Sequence, residues 1–369
     1  MNDPLPQPPP ASGARSMVLP LLAGGTVSLL ALYLAFRNVP LTELGAYLAS
    51  VDYRFLFLSL AMVAGLQVLK AHRWRVILGA VVPVGFTSAF HPMMIGFMLN
   101  CILPGRVGEL ARPLILGRQQ DIPFATALST VVAERLLDTI TILALLAWVL
   151  GALDLAAADA IEFAGYRIDG ALVVSAGRVT LAVGMALLVG IGLLRLETVQ
   201  RWIKTLIHRL PDWIPAIGPH RRQWLFQRVS RPLAALVDQA VHGLAIVGRP
   251  LRLSACIGLS LVIWLLTACS FFILSVGFPG IDLNLIQMTA VLVVISFCIA
   301  LPSVPGWWGL WEAGGVFALS LMGIAPGPAA GFTLVNHAAQ IFPVILIGLG
   351  SALISGVGLG RIAKTARRI

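Results

Sequence analysis

The chain has 369 residues, of which 58% are hydrophobic and only 11% charged, with a formal net charge of +10. About a quarter of the residues of a soluble domain are charged, so this composition excludes a soluble globular protein. The apolar residues fall in runs of about twenty, which is the length that crosses a bilayer. The sequence therefore predicts an all-α integral membrane protein with several spans.

The first elements lie in residues 1–54. Residues 1–16 are proline-rich, and we expect a disordered tail followed by a single membrane domain over residues 17–358. The apolar run at 17–36 is predicted to be a retained first span, because no basic segment precedes it as in a signal peptide. Residues 37–54 have balanced charges, which favours the non-cytoplasmic side, and the segment LTELGAYLASV has the apolar spacing of an interfacial helix.

Charge parity then indicates that residues 76–103 form a re-entrant hairpin. A second span at 55–69 returns the chain to KAHRWR, whose three basic residues belong in the cytoplasm. The acidic segment 154–178 favours the other side, so the span before it, 139–153, must begin in the cytoplasm as well. The stretch between these spans begins and ends on one side, yet it is too short for two full crossings. In this interpretation Pro104 closes the hairpin at the cytoplasmic surface.

The second half of the chain contains three more spans and a second broken segment. The loop at 195–252 holds ten basic and three acidic residues, and the tail at 359–369 is also basic, which predicts that both are cytoplasmic, as is the N-terminus. Further spans are predicted at residues 179–194, 251–278 and 330–356. Residues 285–324 are interrupted by PSVPGWWG and form either two short crossings or a second re-entrant hairpin, which gives six to eight crossings in all.

An internal echo relates the two halves. The stretch PGRVG at 104–108 is followed by Glu109, and PGWWG at 305–309 is followed by Glu312. Each stretch lies at the end of a broken apolar segment. Glycine and proline are common in membrane helices, so chance is one explanation. The other is an approximate inverted repeat, in which two broken segments enter from opposite faces and form a site near the midplane.

Charged residues in apolar surroundings mark the first candidate site. Arg106 and Arg112 follow the Pro-Gly break, and their guanidinium groups suit a phosphate, as does the N-terminus of the short helix that we expect there. Asn100 and Glu109 belong to the same stretch, and Glu109 would hold the arginines when the site is empty. The sequence therefore predicts an anion-binding site at membrane depth.

The stretch VVAERLLD adds two acids to this site. Glu134 and Asp138 are predicted to lie on one face of a helix, with Arg135 beside them. Like charges in this arrangement repel unless a cation lies between them, and Arg106 and Arg112 are the candidates. The alternative is a solvated helix end at the cytoplasmic surface.

Two further candidates lie in the second half. Glu312 is one of two acids between Arg252 and Arg361, and it either faces a polar interior or lies at the membrane interface beside three tryptophans. Four polar residues fall on one face of the last span, where they either bond neighbouring helices or line a substrate path: Thr333, Asn336, His337 and Gln340. A histidine on this face also offers a group that exchanges protons near neutral pH.

Other functional classes find little support in the sequence. The four cysteines are scattered through apolar stretches, and their spacing indicates neither a disulfide nor a metal site; no cofactor is predicted. The basic residues concentrate in loops beside the membrane, which argues against nucleic acid as a partner. No hydrolase, metalloprotease or nucleotide-binding motif occurs, and an intramembrane transferase with Glu109 or Glu134 as its base remains an alternative.

Three stretches, in this order, resemble a known family: NCILPGRVGELAR, ERLLD and PGWWGLWE. Over about residues 20–358 the chain is similar to the flippase-like transmembrane region of lysylphosphatidylglycerol synthases, of the multiple peptide resistance factor type. The same region occurs alone in a group of bacterial and archaeal membrane proteins. Where this family has Pro-Gly-Gly-x-Gly in its second half, this chain has PGWWG, so lysylphosphatidylglycerol is not carried over as the substrate.

The resemblance implies ATP-independent translocation of a lipid between the leaflets of a bacterial cytoplasmic membrane. The synthase activity of the family belongs to a separate soluble C-terminal domain, which we do not expect in this chain. The expected partner is an anionic or isoprenoid-linked lipid whose phosphate is bound by Arg106 and Arg112, with Glu109, Glu134 and Asp138 as counter-ions. The alternatives are a non-catalytic scaffold of a lipid or glycan-lipid synthesis pathway and an intramembrane transferase, and a homo-oligomer is compatible with each.

Overall fold

The computed structural model describes residues 13–37, 39–104, 106–155, 161–163, 166–193, 196–213, 218–234, 248–301 and 304–357. Most of the two predicted tails lies outside the described residues, as does Gly105, whereas residues 13–16 belong to the first helix. The described helices are α1 Gly13–Phe36, α2 Leu41–Ala49, α3 Arg54–Leu78, α4 Phe86–Ile102, α5 Val107–Gln120, α6 Phe124–Ala152, α7 Gly170–Leu193, α8 Glu197–Arg209, α9 Pro219–Leu225, α10 Pro250–Val276, α11 Leu285–Cys298, α12 Leu310–Leu321 and α13 Pro326–Ile354. A short antiparallel hairpin, β1 Ile161–Phe163 and β2 Tyr166–Ile168, precedes α7.

Five of the described helices are long and apolar enough to cross a membrane, namely α3, α6, α7, α10 and α13. A sixth, α1, has 24 residues and reaches about 36 Å at the helical rise of 1.5 Å per residue, which is also a spanning length. The predicted all-α polytopic membrane protein is therefore confirmed, at the lower end of the expected number of crossings.

The helices extend further than the predicted spans, and the extensions carry charge. α3 continues well beyond residue 69 and includes all of KAHRWR, and α6 begins well before residue 139 and includes all of VVAERLLD. A crossing needs about twenty residues, so the fifteen-residue runs at 55–69 and 139–153 were too short to be whole spans. The physical consequence is that several charged side chains lie inside the helix bundle and not in loops.

Two groups of contacts define the two ends of the bundle. At one end the backbone N–H of Asp52 donates to the carbonyl of Gly277 at 2.9 Å. At the other end Gly79 lies against the guanidinium group of Arg252. We call these the Asp52 end and the basic end; the basic end is also where Arg249 precedes α10.

α4 and α5 form a helical hairpin that starts and finishes at the basic end. The two helices are antiparallel and close, since a Cβ on Gly96 would lie 2.8 Å from the carbonyl oxygen of Gly108. The predicted re-entrant segment at 76–103 was therefore wrong in its bounds. The hairpin runs from α4 through α5, and Pro104 lies at its tip instead of at its base. The charge pattern correctly indicated that both ends of the hairpin lie on the same side. It did not indicate that α5 is the second arm, which brings the chain back to that side.

α11 and α12 form a second hairpin, which starts and finishes at the Asp52 end. Gly314 packs against Cys298, so these helices are also antiparallel. α13 begins at the Asp52 end, because Gly331 in its second turn packs against Tyr47 of α2. Of the two alternatives for residues 285–324, the structure has the re-entrant hairpin.

The two halves of the chain share one plan in opposite orientations. Each consists of a long helix, a hairpin and a long helix, with lengths of 25, 17, 14 and 29 residues in α3 to α6 and of 27, 14, 12 and 29 residues in α10 to α13. The first half starts at the Asp52 end and the second at the basic end, because α7 crosses between them. This arrangement is the approximate inverted repeat that the sequence predicts.

The tips of the hairpins meet inside the bundle, and each contains a residue with a left-handed φ angle. Nη2 of Arg106 donates to the carbonyl of Ile299 at 2.8 Å, and a Cβ on Gly306 would lie 3.2 Å from the carbonyl oxygen of Cys101. Arg106 and Trp307, each the third residue of its Pro-Gly-x-x-Gly stretch, have φ angles of 53° and 60°. Such left-handed conformations are uncommon for residues other than glycine. The two tips differ after this residue, because Val107 begins α5 directly, whereas Trp308 and Gly309 precede α12.

Gly309, which ends the second tip, yields a prediction about stability. It has a φ of +92°, and a Cβ there would overlap the backbone of Ser28 in α1. Left-handed strain costs roughly 1–2 kcal/mol and overpacking about 1–3 kcal/mol, so Gly309→Ala should lower the free energy of unfolding by about 2–5 kcal/mol. Gly323→Ala is the matched control, because Gly323 has a φ of +78° with nothing within 4 Å of the added Cβ. Denaturant titration in detergent measures both, and equal losses would mean that α1 does not rest on this tip.

Candidate functional site

Arg73 of α3 is the centre of a buried charge cluster. Its Nη1 donates to Asp138 at 2.6 Å and to Ser260 at 2.7 Å, and its Nη2 donates to Glu134 at 3.0 Å. The side chains of Arg73 and Glu134 are only 2% and 1% exposed. The solvated helix end is therefore excluded as an account of Glu134 and Asp138. The cation that bridges the two acids is Arg73, and not Arg106 or Arg112 as the sequence indicated.

Arg112 of α5 belongs to the same cluster and makes weaker contacts. Its Nη1 lies 2.7 Å from an Oε of Glu134, without the alignment of a hydrogen bond. The guanidinium carbon lies 5.0 Å from the ring centre of Trp74 and 5.7 Å from that of Phe97, which are cation–π contacts. Although the side chain is 1% exposed, none of its three nitrogens has a hydrogen-bond partner among the described residues.

Three other predicted residues surround this pair of arginines. Arg135 is 42% exposed and lies within 4.0 Å of Glu109, Glu134 and Asp138, with a 4.0 Å distance to Glu109 as the longest. Glu109 is 27% exposed. On the facing arm of the hairpin, Oδ1 of Asn100 is buried beside Gly108 and has no hydrogen-bond partner within the described ranges. Seven of the nine predicted site residues thus lie in the first hairpin and α6, and all of them except Arg106 surround the buried cluster.

The charges of the cluster nearly balance. Three arginines face three carboxylates, and Lys70 adds a positive charge, with its Nζ 5.9 Å from the ring centre of Phe97. A surplus charge in a medium of low dielectric is costly unless a counter-ion compensates it. A phosphate or carboxylate beside Arg112 would provide that compensation and would accept hydrogen bonds from its free donors.

Arg106 lies apart from this cluster. Its side chain is exposed, and Nη2 donates to the carbonyls of Ile299 and Ala300 at 2.8 and 3.3 Å, where α11 ends. A cation in this position also interacts favourably with the negative end of the helix dipole. Arg106 precedes α5 with a φ of 53°, whereas Arg112 lies inside that helix, so the two side chains have different surroundings.

Glu312 and His337 form a second buried site at the tip of the second hairpin. Nδ1 of His337 lies 2.5 Å from Glu312, and its Nε2 lies 2.8 Å from the carbonyl oxygen of Gly306. The other carboxylate oxygen of Glu312 accepts the backbone N–H of Gly309 at 2.6 Å. Both side chains are 0% exposed, so the interpretation of Glu312 as an interfacial residue in an aromatic belt was wrong.

The polar face of α13 points inward as predicted, and its residues differ in what they bind. Thr333 donates to the carbonyl of Ala329 in its own helix, and Gln340 donates to Ser270 of α10 at 3.1 Å. Asn336 is 0% exposed, and neither atom of its amide group has a partner in the described part of the chain. Gln340 thus joins two helices, as the first alternative states, whereas a substrate path along this face stays a prediction.

Sequence reasoning missed Arg73 and Lys70 as site residues. Both belong to KAHRWR, which hydropathy alone marks as a loop. The signal that reveals them is the length of the preceding apolar run, which is too short for a span unless the charged segment is part of the helix. Trp74 and Trp264 were missed because only their contacts with Arg112 and Asp138 identify them as part of the cluster.

An apolar cavity of about 220 Å³ lies between α6, α7 and the second hairpin. Its lining is almost entirely hydrocarbon, and it reaches Phe297 and Cys298 at the end of α11. The next residue is Ile299, whose carbonyl binds Arg106. The cavity and the hairpin tips are therefore adjacent.

Comparisons with known proteins agree with this architecture. The family model described as the lysylphosphatidylglycerol synthase TM region matches residues 21–348. The chain is 25% identical over 360 residues to Glycosyltransferase AglD of Haloferax volcanii, covering 92% of this chain but only 55% of that protein. It is 22% identical over 339 residues to the UPF0104 membrane protein of Methanothermobacter thermautotrophicus, covering 90% of this chain and 93% of that protein. No solved structure matches the chain.

Proposed function

Because the chain belongs to the lysylphosphatidylglycerol synthase TM region family, we propose that it moves an amphipathic lipid with a phosphate-bearing headgroup between membrane leaflets, without ATP. The family model describes the transmembrane region of enzymes that are named for lysylphosphatidylglycerol, a derivative of an anionic lipid. Translocation by this chain would need a polar site at membrane depth and room for a hydrocarbon chain, and the described residues offer both.

The observation that carries the proposal is the buried guanidinium group of Arg112. Its Nη1 lies 2.7 Å from Glu134, whereas its Nε and Nη2 have no hydrogen-bond partner among the residues described, and unmade bonds to a buried charged donor are costly. Phosphate oxygens match the planar fork of arginine. Arg106 is exposed at the tip of the same hairpin, so a headgroup would meet this arginine first. Asn100 offers the headgroup a further polar group. Glu134 and Asp138 serve as counter-ions to Arg73 when no lipid is bound.

The apolar cavity supplies the second requirement. A hydrocarbon chain in it would lie against Phe297 and Cys298, one residue away from the carbonyl that holds Arg106. The tail would pass from one apolar environment to another, so its entry into the cavity costs little without a hydrophobic driving force. The lipid would thus have its tail in the cavity and its headgroup at the hairpin tips.

For the orientation we propose that the basic end faces the cytoplasm of a bacterial cell, in line with the positive-inside rule. Arg249 and Arg252 lie at this end, together with the basic segment that contains α8. Six crossings return the chain to its starting side, so both termini would be cytoplasmic.

A transport assay tests the proposal. The purified chain in liposomes without nucleotide is expected to move a fluorescent short-chain phosphatidylglycerol between leaflets faster than it moves the phosphatidylcholine analogue, since only the former has a net negative headgroup. Protein-free liposomes give the background, and reduction of the exposed fluorophore by dithionite gives the rate. Equal rates for the two lipids would mean that the site recognises the phosphate that both carry and not the net charge of the headgroup, whereas no movement of either lipid above the background would overturn the proposal.

A transferase is the second candidate, because one relative is named as a glycosyltransferase. The chain spans about half of that relative's length, so the activity of the whole protein is not carried over directly. Of the two acids considered as a base, Glu109 is the less constrained, since Glu134 lies between Arg73 and Arg112. Mass spectrometry of the lipids after incubation separates the functions: a transferase alters the lipid, a translocator returns it unchanged, and a scaffold neither moves nor alters it.

A further inference from the structure

Glu312 and His337 join three parts of the second half at a single point. His337 belongs to α13, Glu312 to the first turn of α12, and both bind the backbone of the hairpin tip, at Gly306 and Gly309. Their two side chains thus fasten both sides of the PGWWG turn to the last helix. Neither side chain reaches solvent, as both are 0% exposed.

The contacts fix the number of protons that the pair holds. A carbonyl oxygen has no proton to donate, so Nε2 of His337 must carry the hydrogen that bonds Gly306. The contact between Nδ1 and Glu312 needs one more proton, either on the imidazole, which gives an imidazolium facing a carboxylate, or on the carboxyl group. Without that proton, two lone pairs would face each other at 2.5 Å in a dry site.

Two indole rings surround the imidazole of His337. The ring of His337 is stacked on that of Trp311, at 4.7 Å between ring centres and 4° between planes, and lies 4.4 Å from the ring centre of Trp308. Indole faces attract a cation, and the attraction is stronger where water is excluded. A positive ring would also lie next to its counter-ion, Glu312.

Other titratable groups do not compete for this proton. The elements packed around the pair are the second hairpin, α13, α1, α10 and the tip of the first hairpin. The further titratable groups that we find on the described parts nearest to it are Tyr33, Cys101, Arg106, Cys269 and Cys298. Within the described structure, no hydrogen bond or ion pair joins any of these groups to Glu312 or His337.

We propose that Glu312 and His337 form a proton-binding site whose occupancy holds the second hairpin tip against α13. Release of the proton to the aqueous phase would remove the bond between Nδ1 and the carboxylate and free the turn at residues 305–309. A proton that is taken up here as an anionic headgroup binds at the first hairpin would offset the charge being moved. The proton site stands by itself, whereas its coupling to lipid movement rests on the proposed function.

Tryptophan fluorescence of the purified full chain tests the site, because an imidazolium in contact with an indole quenches its emission. The wild type is expected to show a pH-dependent step in emission, which disappears in Glu312→Gln and in His337→Gln. The amide that Glu312→Gln introduces can donate to Nδ1 and accept from Gly309, so this variant keeps the bonds without the exchangeable proton. His208→Gln is the control, since His208 packs against Phe226 in the basic segment, and it should retain the step.

The outcomes separate the site from the coupling. If the wild type has no step, or if both variants keep it with unfolding transitions close to the wild type, the proton site is overturned. Should Glu312→Gln fail to fold, His337→Gln decides the result by the same measurement. In liposomes, an imposed pH gradient is expected to change the rate of lipid movement by the wild type and not by Glu312→Gln; an equal response overturns the coupling alone. A fluorescence step without any lipid movement would overturn the proposed function and leave the proton site supported.

Discussion

Replacing Arg73 with methionine is expected to lower the free energy of unfolding by about 3–5 kcal/mol, the usual cost of breaking a buried ion pair by removing one partner. Arg73 is the cation that bonds both Glu134 and Asp138, and its side chain is 2% exposed. Methionine fills a similar volume, so the loss reports the stranded carboxylates and not a cavity. Denaturant titration in detergent, followed by circular dichroism, measures the change.

Two further variants make this result specific. Arg75→Met removes a cation from the last turn of the same helix, where the side chain is only partly buried, and should cost less than about 1 kcal/mol. Adding Asp138→Asn to Arg73→Met neutralises one of the two acids and leaves Glu134 as the counter-ion of Arg112, so this double variant should recover part of the lost stability. A loss in Arg73→Met no larger than that in Arg75→Met would contradict the ion-pair geometry described above.

Replacing Arg112 with lysine is expected to leave the fold intact and to reduce lipid movement about tenfold or more. The ammonium group preserves a positive charge next to Glu134, but it has neither the planar fork nor the stacking surface that Trp74 and Phe97 contact. Hydrogen bonds from a charged donor contribute about 1.5–3 kcal/mol, and each 1.4 kcal/mol corresponds to a tenfold change in rate. The liposome assay with phosphatidylglycerol measures the effect.

Arg118→Lys is the matched control for Arg112→Lys. Arg118 lies on the same helix, in its last turn, and its side chain is exposed. The rate of lipid movement by this variant should equal that of the wild type. Full activity in Arg112→Lys would mean that any positive charge suffices, and that the orphaned donors of the guanidinium group do not hold the headgroup.

The fold was largely predictable from hydropathy and charge. Runs of apolar residues gave the membrane class, and charge parity required the first broken segment to return to the side it came from. Boundaries were less predictable, because a hydropathy pattern stops at a charged residue whereas a helix does not. α3 continues through Arg73 to Leu78, since Asp138 and Glu134 on α6 compensate the charge. That compensation depends on a helix that lies about sixty residues away in sequence.

The candidate site was predictable as a set of residues but not as a geometry. The buried acids and arginines were identified because a charged residue in apolar surroundings needs a compensating partner. Their partners were nevertheless assigned by nearness in sequence. The sequence identified Glu312 and His337 separately, but it did not predict the contact between them. Their contact depends on how α12 packs against α13, where Gly315 leaves room for Thr333. No local pattern encodes that register.

The inverted plan of the two halves has a consequence for how the protein changes shape. If each half adopted the conformation of the other, the contacts would be nearly the same in kind and number, and the opening would face the opposite leaflet. The two states would then have similar free energies and interconvert thermally, so that a ligand shifts their populations through its differential affinity alone. The free energies of the two states differ because the halves have different side chains. One hairpin carries an arginine cluster and the other a carboxylate–imidazole pair. The direction of net movement would then be set by which of these two different sites is occupied.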